Sequence, residues 1–224
     1  GFPWDDPRIM DSTDALQLAE VPKRMLVVGG GIIGLEMATV YRALGAEVTV
    51  VELADQLMPG ADHDLVRPLA DRLKKQGVSV HLKTRVVEAK AASKAIEVSF
   101  DGENVPQATR FDRVLVATPA PTAARLLPKV SPGAAERLKS VKLAASAVVG
   151  LKFESDTDPA GKALPQNSGI LVATDQDDVH AKAFTLSSRK WPHLAERGGA
   201  LVRASFGRFG DDAIVRAEED DLVD

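Results

Sequence analysis

The amino-acid sequence predicts an α/β chain: a three-layer domain built on a parallel sheet, followed by a smaller α+β segment. Three observations carry this prediction. Met25-Leu26-Val27-Val28 and Val48-Thr49-Val50-Val51 are short, β-branched, almost wholly apolar runs, the pattern of strands buried on both faces. Between them, Ile32, Ile33, Leu35, Met37, Ala38, Tyr41 and Leu44 recur at helical spacing and stop at Gly45, a residue that ends helices readily. The turn joining the first run to this helix is Gly29-Gly30-Gly31-Ile32-Ile33-Gly34. Residues 25–52 therefore read as a βαβ unit, whose two strands lie parallel.

Ahead of this unit, residues 1–19 read as an extended lead-in. Pro3, Asp5-Asp6-Pro7 and Asp11-Ser12-Thr13 are its turn signals, and Ser12 or Thr13 is placed to cap a short helix over Asp14–Leu18. Beyond the unit, a second helix is expected over His63–Gln76, with Asp62 as N-cap, Gly77 as stop and an apolar face of Leu65, Val66, Leu69 and Leu73. Pro68 predicts a bend in it. Val78–Leu82 reads as a third strand. Arg85–Ala89 and Ile96–Phe100 read as strands of an antiparallel meander, and Val114-Leu115-Val116-Ala117 as another buried strand. Ala and Pro are dense from 117 to 147, with helices expected over Thr122–Leu127 and Pro132–Lys139. Four more strands follow: Ala147–Phe153, Gly169–Ala173, Ala181–Leu186 and Ala200–Phe206. Asp211 or Asp212 opens a last helix, and Glu218–Asp221 reads as a solvated acidic helix start. The domains expected are a lead-in over 1–19, the three-layer domain over 20–117 and the α+β segment over 118–224.

Composition excludes several function classes. The net charge is −4, whereas nucleic-acid binding needs a concentrated basic face. The chain contains no cysteine, so disulfides, thiolate metal sites and dithiol chemistry within it are excluded. No apolar run approaches the ~20 residues of a membrane helix, and no basic-then-apolar leader stands at the start. Together these give the expectation of a cytoplasmic chain without nucleic-acid or membrane partners. Gly1 in place of Met, and an end at Asp224 after a charged stretch, give the expectation of a piece of a longer protein.

The glycine turn carries chemistry. In a G-x-G-x-x-G pattern after a strand and before a helix, Gly29 makes the tight turn and Gly31 admits a pyrophosphate close to the backbone. Gly34 lets helix and strand pack closely. The unpaired N–H groups around Gly31, Ile32 and Ile33, with the helix dipole, then face the phosphates. Glu52 ends the second strand 18 residues after Gly34, where its carboxylate can accept from ribose hydroxyls. The following Leu53-Ala54-Asp55 contains no Lys or Arg for a 2′-phosphate, which disfavours NADP. A Rossmann-like three-layer dinucleotide-binding domain is expected, with NAD as cofactor and FAD as the alternative.

With these residues in view, the first half of the chain resembles the NAD-binding domain of dihydrolipoamide dehydrogenase, in the pyridine nucleotide–disulfide oxidoreductase family. The matching stretches are Ile9–Leu18 with Val21-Pro22-Lys23, Gly29–Glu36, Val48–Glu52, Leu57–Asp62 and Asp112–Ala117. The resemblance implies that Glu36 lies near the nicotinamide end; from the residues alone it reads as a solvated helix-face carboxylate. After the last strand that family continues with Gly-Arg-x-Pro-Asn, where this chain has Thr118-Pro119-Ala120-Pro121. Residues 118–224 resemble part of a bacterial protoporphyrinogen oxidase, through Ala117-Thr118-Pro119-Ala120-Pro121, Ala123–Leu127, Phe184–Pro192 and Leu201–Gly207. The chain thus reads as a chimera joined near residue 117.

The two resemblances imply different chemistry. Dihydrolipoamide dehydrogenase needs a cysteine pair, an FAD module and a His–Glu base pair, so the first implies NAD(H) binding that is incomplete for catalysis alone. The second implies an FAD enzyme in which Arg189 and Lys190 meet porphyrin propionates; the plain alternative is a solvated pair flanking Trp191 as a packing anchor. A non-catalytic scaffold is the third reading. His63, His81, His180 and His193 lack metal-ligand spacing, and Ser187-Ser188 has no nearby His–Asp partner. An exposed sheet edge in the second segment gives the expectation of a homodimer or of edge association.

Overall fold

The computed structural model describes residues 1–127, 132–158, 160–176, 179–210 and 216–217. The expected helix from Asp211 or Asp212 and the acidic stretch Glu218–Asp221 lie outside them. Two compact units divide after Val141, Gly1–Val141 and Lys142–Asp224. This places the boundary later than the expected 117/118. Residues 118–127 pack with the first unit, Leu126 against its core.

In chain order the first unit comprises β1 (Ile9–Met10), α1 (Ser12–Gln17), β2 (Arg24–Val28), α2 (Ile32–Ala43), β3 (Glu47–Val51), α3 (His63–Lys75), β4 (Ser79–His81), β5 (Thr84–Ala91), β6 (Ile96–Gly102), β7 (Arg110–Phe111), β8 (Arg113–Val116), α4 (Ala120–Leu126) and α5 (Pro132–Lys139). A five-stranded sheet runs in the order β1-β8-β2-β3-β4, and every pairing in it is parallel. Because side chains alternate along a strand, Met25, Val27, Val48, Val50 and Leu115 enter one core, with Leu35, Ala38 and Tyr41 of α2 and Leu73 of α3. Leu26, Val28, Val51, Val114 and Val116 enter the other. That second face is covered by the antiparallel meander β5-β6-β7 through Ala89, Ile96, Val98 and Phe111. Helices, parallel sheet and meander are the three layers that the sequence predicts. The two-residue β7 is too short to have shown a period.

The lead-in belongs to the fold and is not a free extension. Phe2 and Ile9 are buried in the meander-side core, and β1 pairs with β8, Ile9 opposite Val114. Helix α1 is capped by Asp11, not by Ser12 or Thr13. The Asp11 carboxylate accepts from the Thr13 and Asp14 N–H groups at 2.8 and 3.0 Å, while Asp14 accepts from the Asp11 N–H at 3.1 Å, a reciprocal capping box. Helix α3 runs unbroken through Pro68. Val66 and Leu73 are buried along it while Leu65 is exposed, which corrects its expected place on the packed face.

The second unit is a four-stranded antiparallel sheet in the order β10-β11-β12-β9, from β9 (Ala147–Phe153), β10 (Gly169–Leu171), β11 (Ala183–Leu186) and β12 (Ala200–Phe206). Its core is thin: Ala181, Ala204 and Phe206, with Val149, Leu151 and Phe184 against them. The segment after β11 folds into two single-turn helices, α6 (Ser187–Lys190) and α7 (Pro192–Ala195). They are shorter than the window over which helical periodicity shows.

One contact ties the N-terminal segment to α2 and another braces it from within. Tyr41, fully buried on α2, donates its hydroxyl to the Ala15 carbonyl at 2.8 Å. Tyr41→Phe leaves that acceptor without its partner, and a loss of about 1 kcal/mol in urea unfolding is expected. Asp6 accepts from the Arg8 Nε and Nη2 at 2.8 and 2.6 Å and from the Arg8 N–H at 3.0 Å. The Arg8 guanidinium holds the Asp6 carboxyl down at about 2, from an ordinary 3.8. A lowered folded-state value means stability fully present above about pH 4 and lost as pH falls towards 2. Asp6→Asn should therefore destabilise at neutral pH and flatten the stability profile between about pH 4 and 2, as acid titration of the melting temperature would show.

Candidate functional site

Three loops meet at the carboxyl ends of β2, β3 and β8: Gly29–Gly31, Glu52–Ala54 and Ala117–Pro119. The chain leaves β2 towards β3 on one side while β8 lies on the other. This is a topological switch point, where open α/β sheets form a crevice.

The glycines of the turn have different tasks. Gly29 has φ of +117°, and a Cβ there would lie 2.4 Å from the Ala117 carbonyl oxygen. A Cβ on Gly34 would lie 2.1 Å from the Gly29 oxygen, so only glycine lets α2 approach β2 this closely. Gly30, to which the sequence reading gave no role, is pressed between Leu57 and Glu52, with Cβ distances of 2.7 and 3.1 Å. A Cβ on Gly31 meets nothing within 4 Å among the described residues, and Gly31 lines the crevice. Gly31 caps α2 without a side-chain bond. The N–H groups of Gly31, Ile32, Ile33 and Gly34 have no acceptor among the described residues, as expected of a free helix start.

Glu52 is locked at the end of β3. Its Oε2 accepts from the Gly30 N–H at 2.7 Å and its Oε1 from the Ala54 N–H at 2.8 Å. Each oxygen keeps a further lone pair for a ligand. Exposed apolar side chains rim the crevice: Ile32 at 62%, Ile33 at 51% and Leu53 at 64%.

Two recesses of about 790 Å³ each share Gly31, Ile32 and Ala117–Pro119. One takes in Gly29, Glu52, Leu53 and Met58, with Thr122 and Arg125 from α4. The other takes in Trp4, Ile33, Ala123 and Leu138. Thr118 Oγ1 and Trp4 Nε1 are buried without a hydrogen-bond partner among the described residues. Of the predicted residues, Gly29, Gly31, Ile32, Glu52 and Leu53 line the first recess, Ile33 lines the second, and Gly34 lies buried beneath. Glu36 stands exposed on α2 and lines neither. Sequence reasoning missed Met58, Thr84, Arg85, Thr118, Thr122 and Arg125. Arg85 and Arg125 are far in sequence from Leu53-Ala54-Asp55, the stretch that follows Glu52.

Several of the remaining candidates are engaged in local structure. Arg189 donates to Asp156 at 3.0 Å, and Ser188 Oγ accepts from the Leu201 N–H at 2.6 Å. Lys190 Nζ sits 5.3 Å from the Trp191 ring centroid. Trp191 itself is 49% exposed. His81 Nδ1 is 2.6 Å from the Asn104 carbonyl oxygen. Among the described residues no group of three His, Cys, Asp or Glu could hold a metal, and no helix is long and apolar enough to cross a membrane.

The sequence pattern of the pyridine nucleotide-disulphide oxidoreductase family matches residues 3–138. The chain is 52% identical over 117 residues to dihydrolipoyl dehydrogenase of Vibrio cholerae, covering 52% of this chain and 24% of that protein. It is 51% identical over 116 residues to dihydrolipoyl dehydrogenase of Haemophilus influenzae, with the same coverage. The chain spans about a quarter of the length of these relatives. Among solved structures, an FAD-dependent pyridine nucleotide-disulphide oxidoreductase from Desulfovibrio vulgaris is similar, at 31% identity and a TM-score of 0.46 over 52% of this chain and 31% of that one. The HOCl-induced flavoprotein disulfide reductase of Escherichia coli is similar at 29% identity and a TM-score of 0.46, over 52% and 26%.

Gly34→Ala tests the packing that builds this crevice. Its methyl is forced onto the Gly29 carbonyl, and a stability loss of about 1–3 kcal/mol is expected from such overpacking. An unchanged denaturation midpoint would overturn the close-approach account.

Proposed function

The chain belongs to the pyridine nucleotide-disulphide oxidoreductase family, and from that membership we propose that its first unit is the NAD(H)-binding part of a flavoprotein oxidoreductase of dihydrolipoamide dehydrogenase type. The observation that carries the reading is the open face of Gly31, beside free helix N–H groups and a Glu52 carboxylate held by two backbone donors. The residues fit the group. Gly31 and the Ile32 and Ile33 N–H groups would hold a pyrophosphate, Glu52 would accept from ribose hydroxyls, and Leu53 offers apolar surface for a base. When bound, NAD supplies hydride transfer; the chain's own part is to bind and orient it. With no cysteine in the sequence, a redox cysteine pair for the dithiol reaction has to come from another chain or segment.

FAD is the alternative ligand, since Glu52 serves any unphosphorylated ribose. The protoporphyrinogen oxidase-like reading of residues 118–224 predicts FAD uptake, seen as flavin absorbance of the reconstituted protein. A ligand screen separates these readings. NADH at about 100 times its Kd should stabilise the folded chain by about 2.7 kcal/mol, with NADP clearly weaker. Equal shifts with NADH and NADP, or no shift with NADH, would overturn the NAD reading. No shift with NADH, NADP or FAD favours a non-catalytic scaffold.

Gly31→Ala makes the site specific. Its φ of −81° suits any residue and its Cβ meets no neighbour, so the melting temperature of the free protein should hold. The methyl occupies the space over the turn, and NADH affinity should fall about tenfold, or about 1.4 kcal/mol. Unchanged affinity would remove Gly31 from the site.

A further inference from the structure

Three charged side chains line the recess beside the glycine turn: Glu52, Arg85 and Arg125. Two of them are engaged. Both Glu52 oxygens accept backbone N–H groups, and Arg85 holds Asp101 through Nη2 at 2.6 Å and Nε at 3.0 Å. Arg125 differs. It is exposed on α4, its side chain makes one long bond, Nη2 to Thr122 Oγ1 at 3.4 Å, and it has no carboxylate within ion-pair distance among the described residues. An arginine carries five N–H donors in a planar fork, so most of its capacity is unused.

We propose that Arg125 is a phosphate-binding residue of this recess, pairing its guanidinium with the diphosphate of the bound dinucleotide. The proposal rests on the dinucleotide reading above and adds to it a residue from the segment where the sequence leaves the dihydrolipoamide dehydrogenase pattern. The physical need is charge. A helix start offers only about half a positive charge to a doubly negative diphosphate, and the recess also contains the Glu52 carboxylate. A free guanidinium lining the same recess supplies the missing cation, and its fork suits two phosphate oxygens at once.

The test uses the full 224-residue chain and calorimetric titration with adenosine, AMP, ADP, 2′-phosphorylated ADP and NADH. Arg125→Ala should weaken ADP and NADH about fivefold, the upper range for an exposed ion pair, and leave adenosine unchanged. Arg125→Lys should recover part of the loss, because the charge remains while the fork is gone. The defect should shrink as salt rises. Equal affinities for wild type and Arg125→Ala would overturn the proposal, as would an equal loss for adenosine and ADP, which would place Arg125 on the base. A loss confined to 2′-phosphorylated ADP would also overturn it, by placing Arg125 at the ribose. If the wild-type chain binds none of the probes, the dinucleotide reading itself fails, which the wild-type titration reports before any variant is compared.

Discussion

A missing side chain at Gly34 determines how closely α2 can lie against β2, because a single methyl there would collide with the Gly29 carbonyl. That approach points the free end of α2 at the carboxyl edge of the parallel sheet. Glu52 then ties the two loops of the βαβ unit together, accepting the Gly30 and Ala54 N–H groups at once. The carboxylate thus has a structural task and a binding task, and the first pre-arranges the second. A ligand that uses its remaining lone pairs meets a group already oriented, so little ordering entropy is spent on binding.

What was legible in the sequence follows from period and local chemistry. The buried runs at 25–28, 48–51 and 114–117 read as parallel strands because neighbours on both faces demand apolar residues at every position. The glycine turn and Glu52 were legible because spacing along the chain fixes their geometry. The cap of α1 lies one or two residues before the expected Ser12 or Thr13: Asp11, Ser12 and Thr13 all have capping side chains, and only three-dimensional reach selects Asp11. Leu65 looked like a core residue because its spacing to Leu69 is helical, yet the packed stripe runs through Val66 and Leu73.

The parts that sequence could not show are those assembled from distant segments. Residues 1–10 looked like a lead-in because a two-residue strand has no period, but β1 finds its partner 105 positions later, Ile9 opposite Val114. Thr118 enters the crevice from the loop after β8, and Thr122 and Arg125 enter it through α4, all of them beyond the expected domain boundary. Arg85 arrives through β5. None is adjacent in sequence to the glycine turn or to Glu52, so spacing along the chain carries no sign of them.

The position of β8 has a consequence for how this chain is made. It slots between β1 and β2, two strands synthesised more than eighty residues before it. During synthesis β2, α2 and β3 can assemble from local contacts, while the facing edges of β1 and β2 stay unpaired until Arg113–Val116 leaves the ribosome. Non-local pairing of this kind is slow, and open parallel edges invite association with other chains. The last strand of this sheet to emerge is therefore the one that joins β1 to the rest of it, and the nascent chain is exposed to misassembly for most of the time that its first unit is being translated.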